Sequence, residues 1–144
     1  MDYIREAVEQ LSNYNLLVAS LTIMQGQLEA LRLEKYNIKA QIISSEPRGG
    51  GGEPDDKIVN NIFKRKILIN NIVATNKKIN CIDKSLAALD KNEKRILDRV
   101  FIIGGKNGIR DIAEELTFSN AQVYRMRDKA IRRFSIALFG ICAS

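Results

Sequence analysis

The chain has 144 residues, of which 45% are hydrophobic and 28% charged, and its formal net charge is +6. This composition is typical of a soluble globular protein, and no apolar run of about 18 residues is present that would predict a membrane span. Histidine, the most common general base and metal ligand, is absent, so we expect no enzyme, metal site or cofactor. Cys81 and Cys142 do not have the spacing of metal ligands, so we expect both to be reduced cysteines of a cytoplasmic protein.

Positive charge is concentrated in the later parts of the chain. Residues 1–46 carry four Lys/Arg and six Asp/Glu, residues 47–89 carry eight and four, and residues 90–144 carry eleven and seven. The N-terminal segment is acidic and amphipathic, whereas a secretory signal begins with basic residues and continues with apolar ones. We therefore expect no secretory signal and a cytoplasmic location.

Residues 2–44 are predicted to form one long α-helix, because they contain no proline and a single glycine, Gly26. A helix of this length spans about 60 Å at roughly 1.5 Å per residue. Its apolar residues recur in steps of three and four, which is a heptad seam that Tyr14 and Lys35 also join. The apolar members of this seam are Leu17, Leu21, Met24, Leu28, Leu31, Ile38 and Ile42.

A second helical segment, residues 55–89, is predicted to carry a similar seam, with Arg65 and Asn76 in register. A polar residue on such a seam lowers stability but can fix the pairing register. The apolar members are Ile58, Ile62, Ile69, Ile72, Ile79, Ile82, Leu86 and Leu89. Between the two helices, residues 46–54 contain two prolines flanking four glycines, so we expect a flexible, non-helical joint.

Two amphipathic helices connected by a short flexible joint predict an antiparallel helical hairpin over residues 1–89. Pairing of these helices between chains is the alternative. Some apolar residues lie off both seams and give each helix a second apolar face, namely Leu16, Val18, Val59, Phe63 and Val73. Such a face favours a larger bundle over an isolated hairpin, so we expect a homo-oligomer, specifically a dimer.

Residues 90–144 are predicted to form a three-helix domain, which makes the whole chain all-α. Asp90 and Glu93 have the spacing of a capping box, so a new helix begins near Asp90. Its expected core residues are Ile96, Leu97, Val100, Phe101 and Ile103, and Gly104-Gly105 stops it with a left-handed cap. The next short helix buries Ile109, Ile112, Ala113 and Leu116, where the small Ala113 permits a close helix crossing.

The last predicted helix, residues 120–134, is strongly basic. Ser119 can cap it, with Gln122 completing a capping box. Its inward stripe, with steps of three and four, consists of Val123, Met126, Ala130, Ile131 and Phe134. Its charges are Arg125, Arg127, Lys129, Arg132 and Arg133 against the single acid Asp128. Positive charge concentrated on one element indicates a polyanionic partner.

A short helix, a three-residue turn and a basic second helix have the pattern of a helix-turn-helix, whose second helix enters the major groove of DNA. We expect its outward residues to contact double-stranded DNA, namely Asn120, Gln122, Tyr124, Arg125, Asp128, Lys129, Arg132 and Arg133. Since recognition helices read bases with their N-terminal residues, Asn120 or Gln122 can pair with adenine and Arg125 with guanine.

The later basic residues of this helix are expected to contact phosphates, which set affinity and register rather than sequence. They are Lys129, Arg132 and Arg133. Asp128 either orients a neighbouring arginine or forms an ion pair with Arg132 four residues on. The alternative for the whole unit is a three-helix packing module that makes no contact with DNA.

The segment LAALDKNEKRILDRVFIIGGKNGIRDIAEELTFSNAQVYRMRDKAIRRF, residues 86–134, resembles region 4 of bacterial sigma factors. Residues 93–97 resemble the opening helix, residues 111–116 the first helix of the helix-turn-helix, and Ser119, Val123, Ala130 and Ile131 match characteristic positions of the second. The chain departs from the pattern at Thr117, where a turn glycine is usual, and at Gly108, where a hydroxyl cap is usual. A positive φ costs threonine more than glycine.

Over nearly its whole length the sequence resembles the ArpU/RinA-type phage and prophage regulators. That resemblance implies a transcription regulator that activates late genes by binding DNA near a promoter and assisting host RNA polymerase. Because nothing resembles the sigma segment that opens promoter DNA, we do not expect a complete sigma factor. Two alternatives stay open: a small terminase subunit that recognises packaging-site DNA as a ring-shaped oligomer, and a coiled-coil adaptor whose hairpin binds a protein.

Overall fold

The computed structural model describes residues 2–44 and 54–141. Cys142 and the predicted joint, apart from Pro54, lie outside the described residues. The described chain consists of α1 (Tyr3–Ser12), α2 (Tyr14–Ser44), α3 (Pro54–Ala87), α4 (Lys91–Leu97), a π-helical segment (Asp98–Ile103), α5 (Gly108–Leu116) and α6 (Asn120–Phe139). No strand occurs in these two ranges, so the predicted all-α class is confirmed. Within the same ranges, none of the helices has the length and apolar character that crossing a membrane requires.

The first predicted helix is interrupted at Asn13, which separates α1 from α2. Asp2 caps α1, since its carboxylate accepts a hydrogen bond of 3.1 Å from the Arg5 backbone N–H. The Asn13 N–H still donates to the Glu9 carbonyl, and its own carbonyl accepts from Leu17. Asparagine is a poor residue for a helix interior because its side chain competes for backbone hydrogen bonds. The expected single helix is therefore two helices.

The contacts within the chain divide it into two compact units. The first unit comprises Met1–Val18 with Lys77–Ser144, and the second comprises Ala19–Asn76. The division expected from the sequence, at residue 90, differs from this one because the start of α2 and the end of α3 contribute to the first unit.

The larger core of the first unit draws on both ends of the chain. Its buried residues are Ala7, Leu11, Ile82, Leu86, Leu97, Ala130, Ile131 and Phe134. Helix α1 covers the second half of α6, and the rings of Tyr3 and Phe139 lie with their centres 5.4 Å apart. This added packing explains why α6 continues beyond its predicted end at Phe134.

A smaller core lies under α4, α5 and the first half of α6. It is formed by Ile96, Ile112, Ala113 and Val123, with Val100, Ile109, Leu116, Phe118 and Met126 packed around them. The predicted inner faces of these helices are thus confirmed, except at Ile103, which is 60% exposed. In the π-helical segment the Gly104 N–H donates to the Arg99 carbonyl five residues earlier, at 3.2 Å. This wider turn shifts the register, so that Ile102 packs on the core instead of Ile103.

The apolar seams predicted for α2 and α3 agree with the observed burial to different degrees. The predicted α2 seam coincides with the less exposed positions up to Ile38. The predicted α3 seam was wrong at alternate positions, because Ile62 and Ile69 are 43% and 40% exposed. The less exposed residues of α3 in this unit are Ile58, Asn61, Arg65, Leu68, Ile72 and Thr75. Asparagine therefore occupies a seam position that the sequence pattern assigned to isoleucine.

Candidate nucleic-acid interface

The connection between α5 and α6 is a tight turn with a left-handed residue. Thr117 has φ 58° and ψ 39°. Its N–H donates to the Glu114 carbonyl at 3.3 Å, and the Phe118 N–H donates to the Ala113 carbonyl at 3.0 Å. These two bonds and the packing of Phe118 on the small core form a Schellman motif. Thr117 therefore adopts the conformation in which glycine is usual.

The N-terminus of α6 is capped by Ser119, as expected. The Ser119 hydroxyl accepts a hydrogen bond of 3.1 Å from the Gln122 backbone N–H. Among the described residues the Gln122 side chain makes no return bond, so the predicted capping box is only half formed. The side-chain amides of Asn120 and Gln122 are exposed. Both can donate to and accept from one adenine edge.

Helix α6 separates cleanly into a buried and an exposed face. Its predicted inward stripe is buried or half-buried, while seven of the eight predicted site residues are exposed and Arg133 is half-buried. One exposed line, here called the outer stripe, steps by three, four and three residues through Gln122, Arg125, Lys129 and Arg132. It is about 15 Å long at roughly 1.5 Å per residue. A major groove about 12 Å wide accommodates such a helix face.

Most arginines of the first unit outside α6 are neutralised by carboxylates. Arg95 pairs with Asp98 at 3.1 Å and with Glu115 at 3.0 Å. Arg99 pairs with Asp111 at 2.7 Å. By contrast, the three cations of the outer stripe have no hydrogen-bonding or ionic partner within the described chain. The exposed face of α6 therefore presents three cations that no carboxylate of the described chain neutralises.

Arg133 is placed differently from the prediction. Its Nη1 lies 3.3 Å from Asp90 Oδ2 and donates a short hydrogen bond to Glu93 Oε1. The Glu93 side chain is only 5% exposed, and its Oε1 also accepts the Asp90 N–H at 3.4 Å. Arg133 thus joins α6 to the capping box of α4. Its guanidinium compensates a buried charge, so we do not place it on a phosphate.

Asp128 pairs with Arg127 and not with Arg132. Its Oδ1 accepts hydrogen bonds from Arg127 Nε at 3.1 Å and Nη2 at 2.9 Å. The same guanidinium lies 4.9 Å from the centre of the Tyr124 ring, at cation–π distance. The prediction that Asp128 orients a neighbouring arginine is confirmed, but the arginine concerned was missing from the predicted site. The signal available in the sequence was the three-residue spacing from Tyr124.

Sequence reasoning also missed a residue of α4. Lys91 and Asn92 line a surface depression together with Met126 and Lys129 of α6 and the carboxylates Asp90 and Glu93. Lys91 therefore adds a cation beside the outer stripe. No local sequence pattern connects residues so far apart in the chain, because only the packing of α4 on α6 brings them together.

The second unit carries a separate basic depression that no sequence prediction included. It is lined by Arg32, Lys35, Tyr36, Lys39 and Arg65, and no carboxylate lines it. Arg32 forms a loose ion pair outside the lining, with 3.7 Å between its Nη1 and Glu29 Oε2. The four cations of this depression therefore have little compensating negative charge.

The arrangement on α6 suits recognition of an anionic groove. The exposed Asn120 and Gln122 amides lie at the helix N-terminus, and the unpaired cations follow on the face of Gln122. Within residues 2–44 and 54–141, no group of three or more His, Cys, Asp or Glu side chains is placed to hold a metal ion. No protein-family model, curated protein or solved structure matches this chain.

Proposed function

We propose that the protein binds double-stranded DNA through α6, with α5 and α6 acting as a helix-turn-helix. The observation that carries this proposal is the outer stripe. Its three cations, Arg125, Lys129 and Arg132, are exposed and unpaired within the described chain, while neighbouring arginines are held by carboxylates. Unpaired cations on the helix that follows a tight turn are well suited to a phosphate-lined groove.

The proposed roles divide along the helix. Asn120, Gln122 and Arg125, at the N-terminal end, read base edges. Lys129 and Arg132 contact phosphates and set the register of the helix on the duplex. Tyr124 directly precedes Arg125 on α6. We propose that the Arg127 guanidinium, which contacts both Tyr124 and Asp128, restricts the motion of the Tyr124 side chain.

We further propose that this DNA binding serves transcription regulation in a phage or prophage, as an activator of late genes that assists host RNA polymerase. Support for this comes from the sequence resemblance to sigma region 4 over residues 86–134 and to ArpU/RinA-type regulators over nearly the whole chain. The exposed cations of α6 are compatible with that role.

A dimer is also proposed, because apolar side chains off the helical seams are exposed on a single chain. Leu16, Val59, Phe63 and Val73 are 68%, 62%, 63% and 61% exposed. Contact with a second copy of the chain would remove such apolar surface from water. A dimer would recognise two half-sites about 34–36 Å apart, or a multiple of that distance. Sedimentation equilibrium of wild type and Phe63→Lys tests this, and a wild-type monomer would contradict it.

The DNA-binding proposal is tested by recovering and sequencing the fragments that the purified protein selects from sheared host and prophage DNA. Wild type, Arg125→Ala and a control, Lys57→Ala on α3, are compared. We expect enrichment upstream of a late-gene block that Arg125→Ala loses and Lys57→Ala retains. Both substitutions remove one exposed cation, so net charge alone cannot explain a difference.

Other outcomes assign the function differently. Enrichment at a packaging site by a ring-shaped oligomer would make the protein a small terminase subunit. Absence of enrichment in all three proteins would refute DNA reading by α6. The adaptor function, in which the helical hairpin binds a protein, would then take its place.

A further inference from the structure

The basic depression of the second unit is built on an unusual use of seam positions. Lys35 and Arg65 lie on the seams of α2 and α3, where apolar residues are expected, and both are half-buried. Arg32, Tyr36 and Lys39 complete the lining. Placing charges on a seam lowers the stability of helix pairing. A function for these charges would account for that cost.

A buried side chain positions Arg65. Asn61 is 1% exposed, and its Nδ2 donates a hydrogen bond of 2.8 Å to the Leu31 carbonyl. This bond fixes the Asn61 amide, whose Oδ1 accepts a hydrogen bond of 2.8 Å from Arg65 Nε. The terminal Nη groups of Arg65 have no partner within the described residues. They form the planar pair of donors that binds phosphate bidentately.

We propose that this depression is a second nucleic-acid site, which binds backbone phosphates independently of α6. The four lining cations match a polyanion in charge, and Arg65 is oriented in advance by Asn61. Side chains four apart on a helix are about 5–6 Å apart, and residues 32–39 extend over roughly 10 Å. A nucleic-acid strand presents about three phosphates over that length, at a rise of about 3.4 Å each.

The lining distinguishes nucleic acid from an acidic protein partner. An acidic amphipathic helix would need an apolar floor for its own apolar face. No aliphatic residue lines this depression. The one ring present, that of Tyr36, is 74% exposed and is available for stacking on a base, as in sites for single strands.

The test measures the salt dependence of DNA binding by the full chain. Duplex and single-stranded oligonucleotides of random sequence are titrated against wild type and Lys35→Gln/Arg65→Gln. The matched control is Lys57→Gln/Lys64→Gln, which removes two exposed cations from another side of α3. For duplex, log K falls as log salt rises. We expect this slope to become shallower by about 1.8 in the site variant, at about 0.9 for each phosphate that is no longer neutralised. The control slope should not change.

Two further variants keep the proposal testable. Arg32→Gln/Lys39→Gln changes only exposed side chains and should lower the slope as the seam variant does, even if the latter folds poorly. Arg125→Gln/Lys129→Gln removes the proposed contacts of α6. If adding Lys35→Gln/Arg65→Gln to this last variant still reduces the salt dependence, the second site exists whether or not α6 reads DNA.

Three outcomes would overturn the proposal. The first is equal slopes for the site variants and the Lys57/Lys64 control. The second is an effect of the site variants that disappears with the α6 variant, since it would mean that no independent site exists. The third is thermal stabilisation of wild type, but not of the site variants, by inorganic tripolyphosphate while DNA slopes stay equal. That result would assign the depression to free polyphosphate.

Discussion

Replacing Arg133 with alanine is expected to destabilise the protein, because Glu93 then loses its main counter-charge. The Glu93 side chain is 5% exposed. Its Oε2 has no hydrogen-bond partner in the described chain, and its Oε1 would retain only the 3.4 Å bond from the Asp90 N–H. A nearly buried carboxyl group would thus keep a single hydrogen-bond donor.

The loss of stability depends on how strongly water screens the charges of the Arg133–Glu93 pair. Removing one partner of a buried ion pair costs about 3–5 kcal/mol. Arg133 itself is 40% exposed and Asp90 is 72% exposed, so water already screens part of the interaction. We therefore expect a loss of about 2 kcal/mol in the free energy of unfolding. At roughly 3 °C per kcal/mol for a chain of this size, the melting temperature falls by roughly 6 °C.

Urea unfolding followed by far-ultraviolet circular dichroism measures this change, with Arg132→Ala as the matched control. Arg132 is the adjacent residue, but it is exposed and has no partner in the described chain. Its replacement should change stability by less than about 0.5 kcal/mol. In DNA binding the order reverses. Arg132→Ala should lower the salt slope by about 0.9, whereas Arg133→Ala should leave the slope unchanged.

A double-mutant cycle with Glu93→Gln isolates the pair. Because a neutral amide needs no counter-charge, Arg133→Ala should cost less in the Glu93→Gln background than in wild type. If Arg133→Ala and Arg132→Ala destabilise equally, or if the cycle yields no coupling, the role assigned to Arg133 is wrong.

Three other substitutions have defined outcomes. Ser119→Ala removes the cap of α6 and should cost about 1 kcal/mol in urea unfolding; an unchanged midpoint would show that the 3.1 Å bond contributes nothing. Thr117→Gly relieves a left-handed residue and should gain about 0.5 kcal/mol, because the cost of that conformation slightly exceeds the entropy that glycine adds to the unfolded chain; a loss would contradict this. Tyr14 donates a 2.7 Å hydrogen bond to Asp83, which raises the pKa of Tyr14 above its ordinary 10.0. Tyr14→Phe should therefore cost about 1 kcal/mol below pH 10. The difference from wild type should shrink as the pH rises through the raised pKa, because the unfolded tyrosine ionises first; a difference independent of pH would refute the assignment.

The faces of α6 could be predicted because local signals agree there. The cap at Ser119 fixes where the helix begins, and apolar residues in steps of three and four then fix which side is buried. Val123, Ala130 and Phe134 are accordingly inside, and Arg125, Lys129 and Arg132 are outside.

The seam of α3 could not be predicted, because two registers share half of their positions. From Ile58, both a step of three to Asn61 and a step of four to Ile62 lead on to Arg65. Hydrophobicity alone favours Ile62. The choice is made by α2, whose Leu31 carbonyl accepts a hydrogen bond from Asn61. Such a partner cannot be identified from the pattern of one helix.

The sequence predicted which residues of α6 are positively charged, but not which of them pair with a carboxylate. Arg132 and Arg133 are equivalent in a local sequence pattern. Only the packing of α4 against α6 brings Asp90 and Glu93 to one of them and leaves the other unpaired. Long-range ion pairs of this kind decide which cations are available to a ligand.

The π-helical segment Asp98–Ile103 also determines how this region can change in length. A hydrogen bond that spans five residues, as from Gly104 to Arg99, encloses one residue more than an α-helical bond does. Deleting one residue within the segment would convert it to α-helix and leave the glycine stop and α5 with little displacement. Inserting one would have to enlarge a turn that is already wide. Chains of this architecture should therefore lose a residue here more readily than they gain one.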